Sequence, residues 1–421
     1  MGNCSTSCLK KKRKGTTTED PPPQLSTPRG AHLIENLKLG RQLSKISLHD
    51  VYAIDLEKPL GRGIGGFVYM AIHKESGKKY AIKSLETGGI SMKKMDDLRS
   101  EIRLMSELDH PHIIRLVDTI EEPGCMHLIQ ELSTGGELLK RVNASGFTED
   151  EARRHILTMI DVLRYLEDKR IAHCDLKPEN WLFESEDDNA RLQLIDFGFS
   201  KHLQNKQHLT DRRGSTLYIA PEVFKGNYDG RADMWSIGVI CFMMLFQEAP
   251  FISIVEGKVD PKETASLIKE GKYTFPEDEP SRKVSKEARE FIRRLLTVDP
   301  VERMTASEAQ QHKWLKEAYD ASLNATMSAF PQKLARRMRS FNELTSLQRT
   351  VNQVLAYMLD AAKITALRDE FAKLDETRNG EISFEEFQHA FERSNINMSE
   401  TDLRQIFRSI GKFFLAPTLF H

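Results

Sequence analysis

The segment GRGIGGFVYM, beginning at Gly61, is the first of six short stretches whose order constrains this chain more than any other feature. Gly61, Gly63 and Gly66 form G-x-G-x-x-G, followed by Val68, and glycines let backbone amides approach phosphate closely. Dinucleotide-binding folds share that spacing, so the loop alone does not choose a chemistry. YAIK follows and places Lys83 on a β-strand. Next comes LRSEIRLMSELDHPHIIRL, a helix carrying Glu101. AHCDLKPENWLF then offers Asp175, Lys177 and Asn180, IDFGFS offers Asp196, and YIAPEV ends in Glu222 and a valine. An aspartate can accept a hydroxyl proton, an amide and a second carboxylate can hold magnesium, and a lysine held by a glutamate can bind phosphates.

Each segment has a simpler reading as a turn, a cap or a surface charge. In this order, over about 160 residues, the six together resemble the eukaryotic protein kinases across residues 52–315. The resemblance implies an α+β, bilobal fold, with a small β-rich lobe and a large helical lobe. It makes Gly61, Gly63, Gly66 and Val68 the ATP-covering loop and Lys83 with Glu101 an ion pair. Asp175 becomes the catalytic base, Lys177 a contact to the γ-phosphate, and Asn180 and Asp196 the magnesium ligands. Gln130 falls at the gatekeeper position, and the hinge Glu131–Ser133 receives adenine. Ser215 would fix substrate and catalytic loop, Asp233 would anchor that loop, and Glu222 would pair with Arg303. The D-L-K-P-E-N form is that of serine/threonine kinases. Glu137 and Glu179 match positions that pair with arginines in basophilic relatives; as bare sequence they are surface carboxylates.

One departure is Cys174, which stands where the family usually has arginine. A thiol cannot pair with an activation-segment phosphate. Phosphorylation at Thr210 or Thr216 is therefore not expected to be the main switch, and Cys174 is expected to be a mostly buried thiol. Cys174 is also the only support for the alternative, a pseudokinase scaffold that binds calcium.

Near the C-terminus, DETRNGEISFEE has the ligand pattern of a calcium loop. Asp375, Thr377, Asn379, the backbone of Glu381, Ser383 and Glu386 occupy the ligating positions, with Gly380 at the sharp turn. Leu367, Phe371 and Leu374 form an entering helical stripe; Phe387 and Phe391 form an exiting one. Upstream, Leu344, Leu347, Val351, Val354 and Met358 repeat at helical spacing, suited either to packing on their own domain or to a regulatory partner. In LARRMRSF, Arg337 precedes Ser340 by three residues, a candidate autophosphorylation or pseudosubstrate site. Kinase, junction and calcium loop together resemble the calcium-dependent protein kinases of plants and protists. That family normally carries four such loops. Here NMSETDLRQIFRSI resembles a second entering helix, but no Asp or Glu follows Asp402, so a second loop of that type is not expected.

The N-terminus reads MGNCSTSCLKKKRKG. Gly2 with Thr6 fits myristoylation, Cys4 and Cys8 suit palmitoylation, and Lys10 to Lys14 add five positive charges. One acyl chain binds membranes marginally; a second signal makes the attachment stable. The expected location is the cytoplasmic face of a membrane, with a cytoplasmic pool. The net charge of −1 provides no global field for nucleic acid, and the five cysteines show neither metal spacing nor disulfide density. The expected organisation is a lipidated, basic tether at 1–48, a kinase domain at 52–315, a junction at 316–362 and an incomplete calcium-binding domain at 363–421. ATP, Mg2+ and Ca2+ are the expected cofactors, and protein substrates and a membrane the expected partners.

Overall fold

The computed structural model describes residues 47–63, 66–144, 146–187, 189–203, 216–255, 258–277 and 283–316, position 318, and 382–393, 399–401, 403–404 and 407. Gly2, Cys4, Cys8, Thr210, Ser215, the 344–358 stripe, Arg337, Ser340 and the calcium-loop positions 375–381 lie outside these. The chain divides into two units, one containing residues 35–315 and the other 316–421.

The first unit begins one step earlier than its β-branched pattern suggests. Helix α1 (Leu48–Val51) precedes the first strand, and Ser47 with Asp50 forms a reciprocal capping box. Leu48 is 1% exposed and packs with Tyr52, Tyr69, Tyr80, Ile82 and Ile129. Leu48, which falls within the stretch 1–48 expected as a tether, is thus a core residue of the sheet. Glu122 holds the junction in place by accepting from Ser47 Oγ at 2.9 Å and Leu48 N at 2.7 Å.

Five antiparallel strands follow: β1 (Tyr52–Gly63), β2 (Gly66–His73), β3 (Lys79–Glu86), β4 (Leu116–Glu122) and β5 (Cys125–Gln130), in spatial order β1-β2-β3-β5-β4. Helix α2 (Met92–Glu107) lies between β3 and β4, with Ser91 accepting from Lys94 N at its start. In the sheet, Val68 pairs with Lys83, Lys83 with Leu128, and Ala81 with Gln130. Side chains of directly opposed residues, and of residues two apart, share a face of the sheet. Val68, Ala81, Lys83, Leu128 and Gln130 thus form one surface.

The rest of this unit is mostly helical: α3 (Leu138–Ala144), α4 (Glu149–Asp168), α5 (Arg231–Phe246), α6 (Pro261–Glu270), α7 (Lys286–Leu295) and α8 (Ala306–Gln311). Short pairs interrupt it: β6 (Ile171–Ala172) with β9 (Lys201–His202), β7 (Trp181–Phe183) with β8 (Leu192–Leu194), and β10 (Ile254–Val255) with β11 (Lys258–Val259). Helix α5 contains the longest apolar run and is buried from Ala232 to Leu245, as expected of a central core helix. Among the described residues, no helix is long and apolar enough to cross a membrane.

In the second unit, α9 (Phe384–Arg393) starts at Ser383. Ser383 N donates to Glu386 Oε2 at 2.7 Å, and Glu386 N donates to Ser383 Oγ at 3.1 Å. Two expected calcium-loop residues therefore also form a helix cap, and Glu386 is buried. Phe384 and Phe387 pack against Phe407, at centroid distances of 5.6 and 5.4 Å.

Candidate active site

Four chain segments converge between the sheet and the helical part. From β3, Lys83 extends Nζ to Asp196 Oδ1 at 3.1 Å. Asp196 lies beyond β8 with φ at 63°, a left-handed conformation that side chains adopt at a cost of about 1–2 kcal/mol. Burial alone would raise its pKa. The charge and hydrogen bond of Lys83 outweigh that and hold the carboxyl below its usual range.

The expected ion pair of Lys83 with Glu101 is not formed; Asp196 takes the ammonium instead. Glu101 remains close, since a Cβ on Gly198 would sit 3.2 Å from Asp196 Oδ1 and 3.5 Å from Glu101 Oε1. Burial raises the Glu101 pKa, the attraction of Lys83 only partly offsets it, and the charge of Asp196 pushes it further up. Two half-buried carboxylates thus face one cation, and the one at hydrogen-bond distance is stabilised as an anion.

Between β6 and β7, the HCDLKPEN segment forms a loop and a short 3₁₀ turn, Pro178–Asn180. Lys177 Nζ bonds Asp175 Oδ2 at 2.8 Å. Asn180 Nδ2 donates to Asp175 O at 2.8 Å, which leaves the amide oxygen of Asn180 as a ligand atom. Ile195 N donates to Asn180 O at 2.8 Å and ties this turn to the segment bearing Asp196. Asp233, near the start of α5, accepts from His173 N at 2.7 Å and Cys174 N at 2.9 Å. These two bonds hold Cys174 at φ 67°, another left-handed position without glycine. Burial pushes Asp233 up to about 6 despite them. Burial also lowers His173 to about 4, so this histidine is neutral at pH 7, edge-on to Phe197 at 5.0 Å.

Cys174 is half-buried rather than enclosed. It lines a small cleft, of about 20 Å³, with Asp175, Tyr218, Tyr228 and Asp233. Deeper in the lobe, Arg303 is 1% exposed and forms a bidentate pair with Glu222, at 2.5 and 2.8 Å. The expected anchors, Asp233 and Glu222–Arg303, are thus both in place.

After β5 the chain crosses to the helical part through Glu131–Ser133. Glu131 N donates to Arg115 O at 3.1 Å. The Ser133 N–H and C=O make no hydrogen bond among the described residues, leaving one donor and one acceptor for a planar base. Ser133 Oγ donates to Gln193 Oε1 at 2.9 Å. Gln193 was invisible to motif reasoning, since its only signal is a polar residue inside an otherwise apolar strand. Glu137 lies 3.9 Å from Lys140, half-buried. Glu179 Oε2 is buried with no hydrogen-bond partner among the described residues. The Tyr218 hydroxyl is pushed up by burial and by the charge of Glu179. Of the phosphate-loop positions, Gly61 pairs with Val68 and Gly63 with Gly66, closing the β1–β2 hairpin.

A family model described as the protein kinase domain matches residues 54–315. Calcium-dependent protein kinase 7 of Arabidopsis thaliana is 32% identical over 368 residues, 85% of this chain and 65% of that protein. Calcium-dependent protein kinase 1 of Oryza sativa subsp. japonica is 32% identical over 375 residues, 87% of this chain and 70% of that protein. Calcium-dependent protein kinase 2 of Zea mays is 32% identical over 371 residues, covering 87% and 70%. The chain spans about 65% of the length of the Arabidopsis relatives it matches. With the Lys83–Asp196 pair, the Asp175 loop and its buried anchors in place, this chain belongs to the protein kinase family, among the calcium-dependent protein kinases.

Proposed function

We propose that this protein transfers the γ-phosphoryl group of ATP to serine and threonine hydroxyls of proteins, at a membrane and under calcium control. The observation that carries the catalytic reading is the fixed quartet Asp175, Lys177, Asn180 and Asp196. The donor set suits magnesium: one carboxylate and one amide oxygen, both hard ligands. Asn180 and Asp196 would hold the metal, which when bound neutralises charge on the transferred group.

In this reading Asp175 accepts the proton of the substrate hydroxyl as its oxygen forms the new bond to phosphorus. The bond from the γ-phosphorus to the bridging oxygen breaks, and ADP leaves with that electron pair. Lys177 holds Asp175 in place and adds positive charge beside the moving group. Lys83 supplies a second cation for the phosphates, with Glu101 as a further anion beside it. Gly61, Gly63, Gly66 and Val68 would cover the phosphates, and the backbone of Glu131 and Ser133 would meet adenine. Ser215 would steady the substrate. The alternative of an inert scaffold has only Cys174 in its favour, whereas the quartet favours catalysis.

Glu137 and Glu179 support a preference for basic substrates. A buried carboxylate oxygen without a partner, as at Glu179, suits an arginine side chain. Calcium control is supported by the names of the relatives and by the ligand series Asp375, Thr377, Asn379, Glu381, Ser383 and Glu386. Attachment to the cytoplasmic face is supported by Gly2, Cys4, Cys8 and the basic run, and a Gly2→Ala variant that stays membrane-bound would remove it.

The test of activity is phosphate transfer from labelled ATP to an Arg-x-x-Ser peptide, with calcium and with chelator. Wild type should label the peptide and Asp175→Asn should not; equal labelling by both would remove the catalytic reading. Glu386→Gln should blunt the calcium response, and equal activity in calcium and chelator for both proteins would remove calcium control.

A further inference from the structure

We propose that the Ser133–Gln193 hydrogen bond clamps the hinge to the large lobe, so that lobe closure pivots at Leu132 and Ser133 is held ready for the nucleotide base. The inference rests on the kinase reading above.

Two hydrogen-bonded frames meet at the hinge. The sheet's frame extends through Gln130, which pairs with Ala81 and Leu116, to Glu131, whose N–H is held by Arg115 O at 3.1 Å. From the other side, Thr134 N donates to Glu184 O at 3.0 Å and Gly135 N to Phe183 O at 2.9 Å, continuing from β7. The fit there is close: a Cβ on Gly135 would lie 1.8 Å from Ser185 O. Ser133 joins this second frame only through its side chain, by the 2.9 Å bond to Gln193. Leu132, between the frames, makes no hydrogen bond among the described residues. The φ/ψ change of a closing motion is absorbed where the backbone is unrestrained, and here that is Leu132.

Gln193 connects the hinge to the reacting end of the site. It is 4% exposed, sits at the middle of β8 and precedes Asp196 by three residues. The segment between α2 and β4 grips the same strand. Ile114 N donates to Leu194 O at 2.9 Å, Leu194 N to His112 O at 2.8 Å, and Ile113 bridges Leu194. Two of the links between the sheet and the helical part therefore hold β8. Without the clamp, Ser133 would be free to rotate with Leu132, and ordering it would be charged against nucleotide binding. The catalytic loop would be untouched.

Ser133 and Gln193 are positioning residues in this scheme, and the readout is binding. Calorimetry of ADP and ATP on the full chain should show Ser133→Ala weakening both about three- to tenfold, the range of one neutral hydrogen bond. The loss should fall on KM for ATP rather than kcat. Gln193→Met should match it, and the double variant should be no weaker than either single one, because one bond is lost only once. Ser133→Thr, which keeps the hydroxyl, should restore affinity. Additive losses, a loss confined to kcat, or a lowered melting temperature with unchanged affinity would each overturn the clamp. A wild-type chain that binds no nucleotide would overturn the kinase reading with it; normal wild-type binding with an indifferent Ser133→Ala overturns the clamp alone.

Discussion

Replacing Asp233 with asparagine should separate activity from stability. In the wild type, its two carboxylate oxygens accept from His173 N and Cys174 N at 2.7 and 2.9 Å. Asparagine keeps the shape but offers one oxygen, and its NH2 must face a backbone N–H. A hydrogen bond to a charged group contributes about 1.5–3 kcal/mol. Losing one also loosens Cys174, which is held at φ 67°. At about 1.4 kcal/mol per decade, the expected fall in kcat is about 10- to 100-fold. Stability moves the other way. Burial raises the pKa of Asp233 from its ordinary value of 3.8 to about 6, which corresponds to roughly 3 kcal/mol disfavouring the ionised form at neutral pH. Asparagine removes that cost, which offsets the lost bond, so the melting temperature should change little. The pH dependence has a definite sign. A carboxyl with a raised folded-state pKa contributes most below its unfolded value near 3.8, and that contribution is lost as pH rises to about 6. Melts of wild type and variant should therefore diverge over this window and run parallel above it. Wild-type activity should fall as pH drops below about 6, as Asp233 takes up a proton. Peptide phosphorylation at about pH 5–8 and thermal melting from about pH 3.5 to 8 are the assays. A variant with kcat within about twofold of wild type, or one whose activity disappears only because it unfolds, would refute the argument.

Three further substitutions test other parts of the fold. Glu222→Ala should lower the unfolding free energy by about 3–5 kcal/mol, because it strands the buried Arg303 guanidinium; chemical denaturation measures it. Gly135→Ala should destabilise by about 3 kcal/mol or more, since its Cβ would overlap Ser185 O at 1.8 Å; soluble protein with an unchanged denaturation midpoint would contradict the close fit. Asn180→Ala removes both the bond to Asp175 O and the amide oxygen. Magnesium titration of activity should show apparent metal affinity reduced about 10- to 100-fold.

Much of the site is legible in the chain because the chemistry needs particular functional groups in a particular order. The proposed proton acceptor Asp175, the candidate metal ligands Asn180 and Asp196, and Lys83, proposed for the phosphates, all come from short local segments. Asp233 and the Glu222–Arg303 pair were legible only through the family resemblance, because each joins positions far apart in sequence. The burial of Leu48 was not legible in its own segment, because it comes from Tyr52, Tyr69 and Ile129 of the sheet.

By itself the sequence determined which groups are available and in what order they enter the site, since side-chain chemistry and local turn geometry depend on nearby residues. Tertiary structure decided which groups meet. It gave Lys83 to Asp196 rather than Glu101, because two half-buried carboxylates compete for one ammonium and distance settles that contest. It also paired Ser133 with Gln193, 60 positions away, and raised the pKa of Asp233 by enclosing it. Burial and partner distance are sums over elements that fold together, and no single segment of the chain contains them.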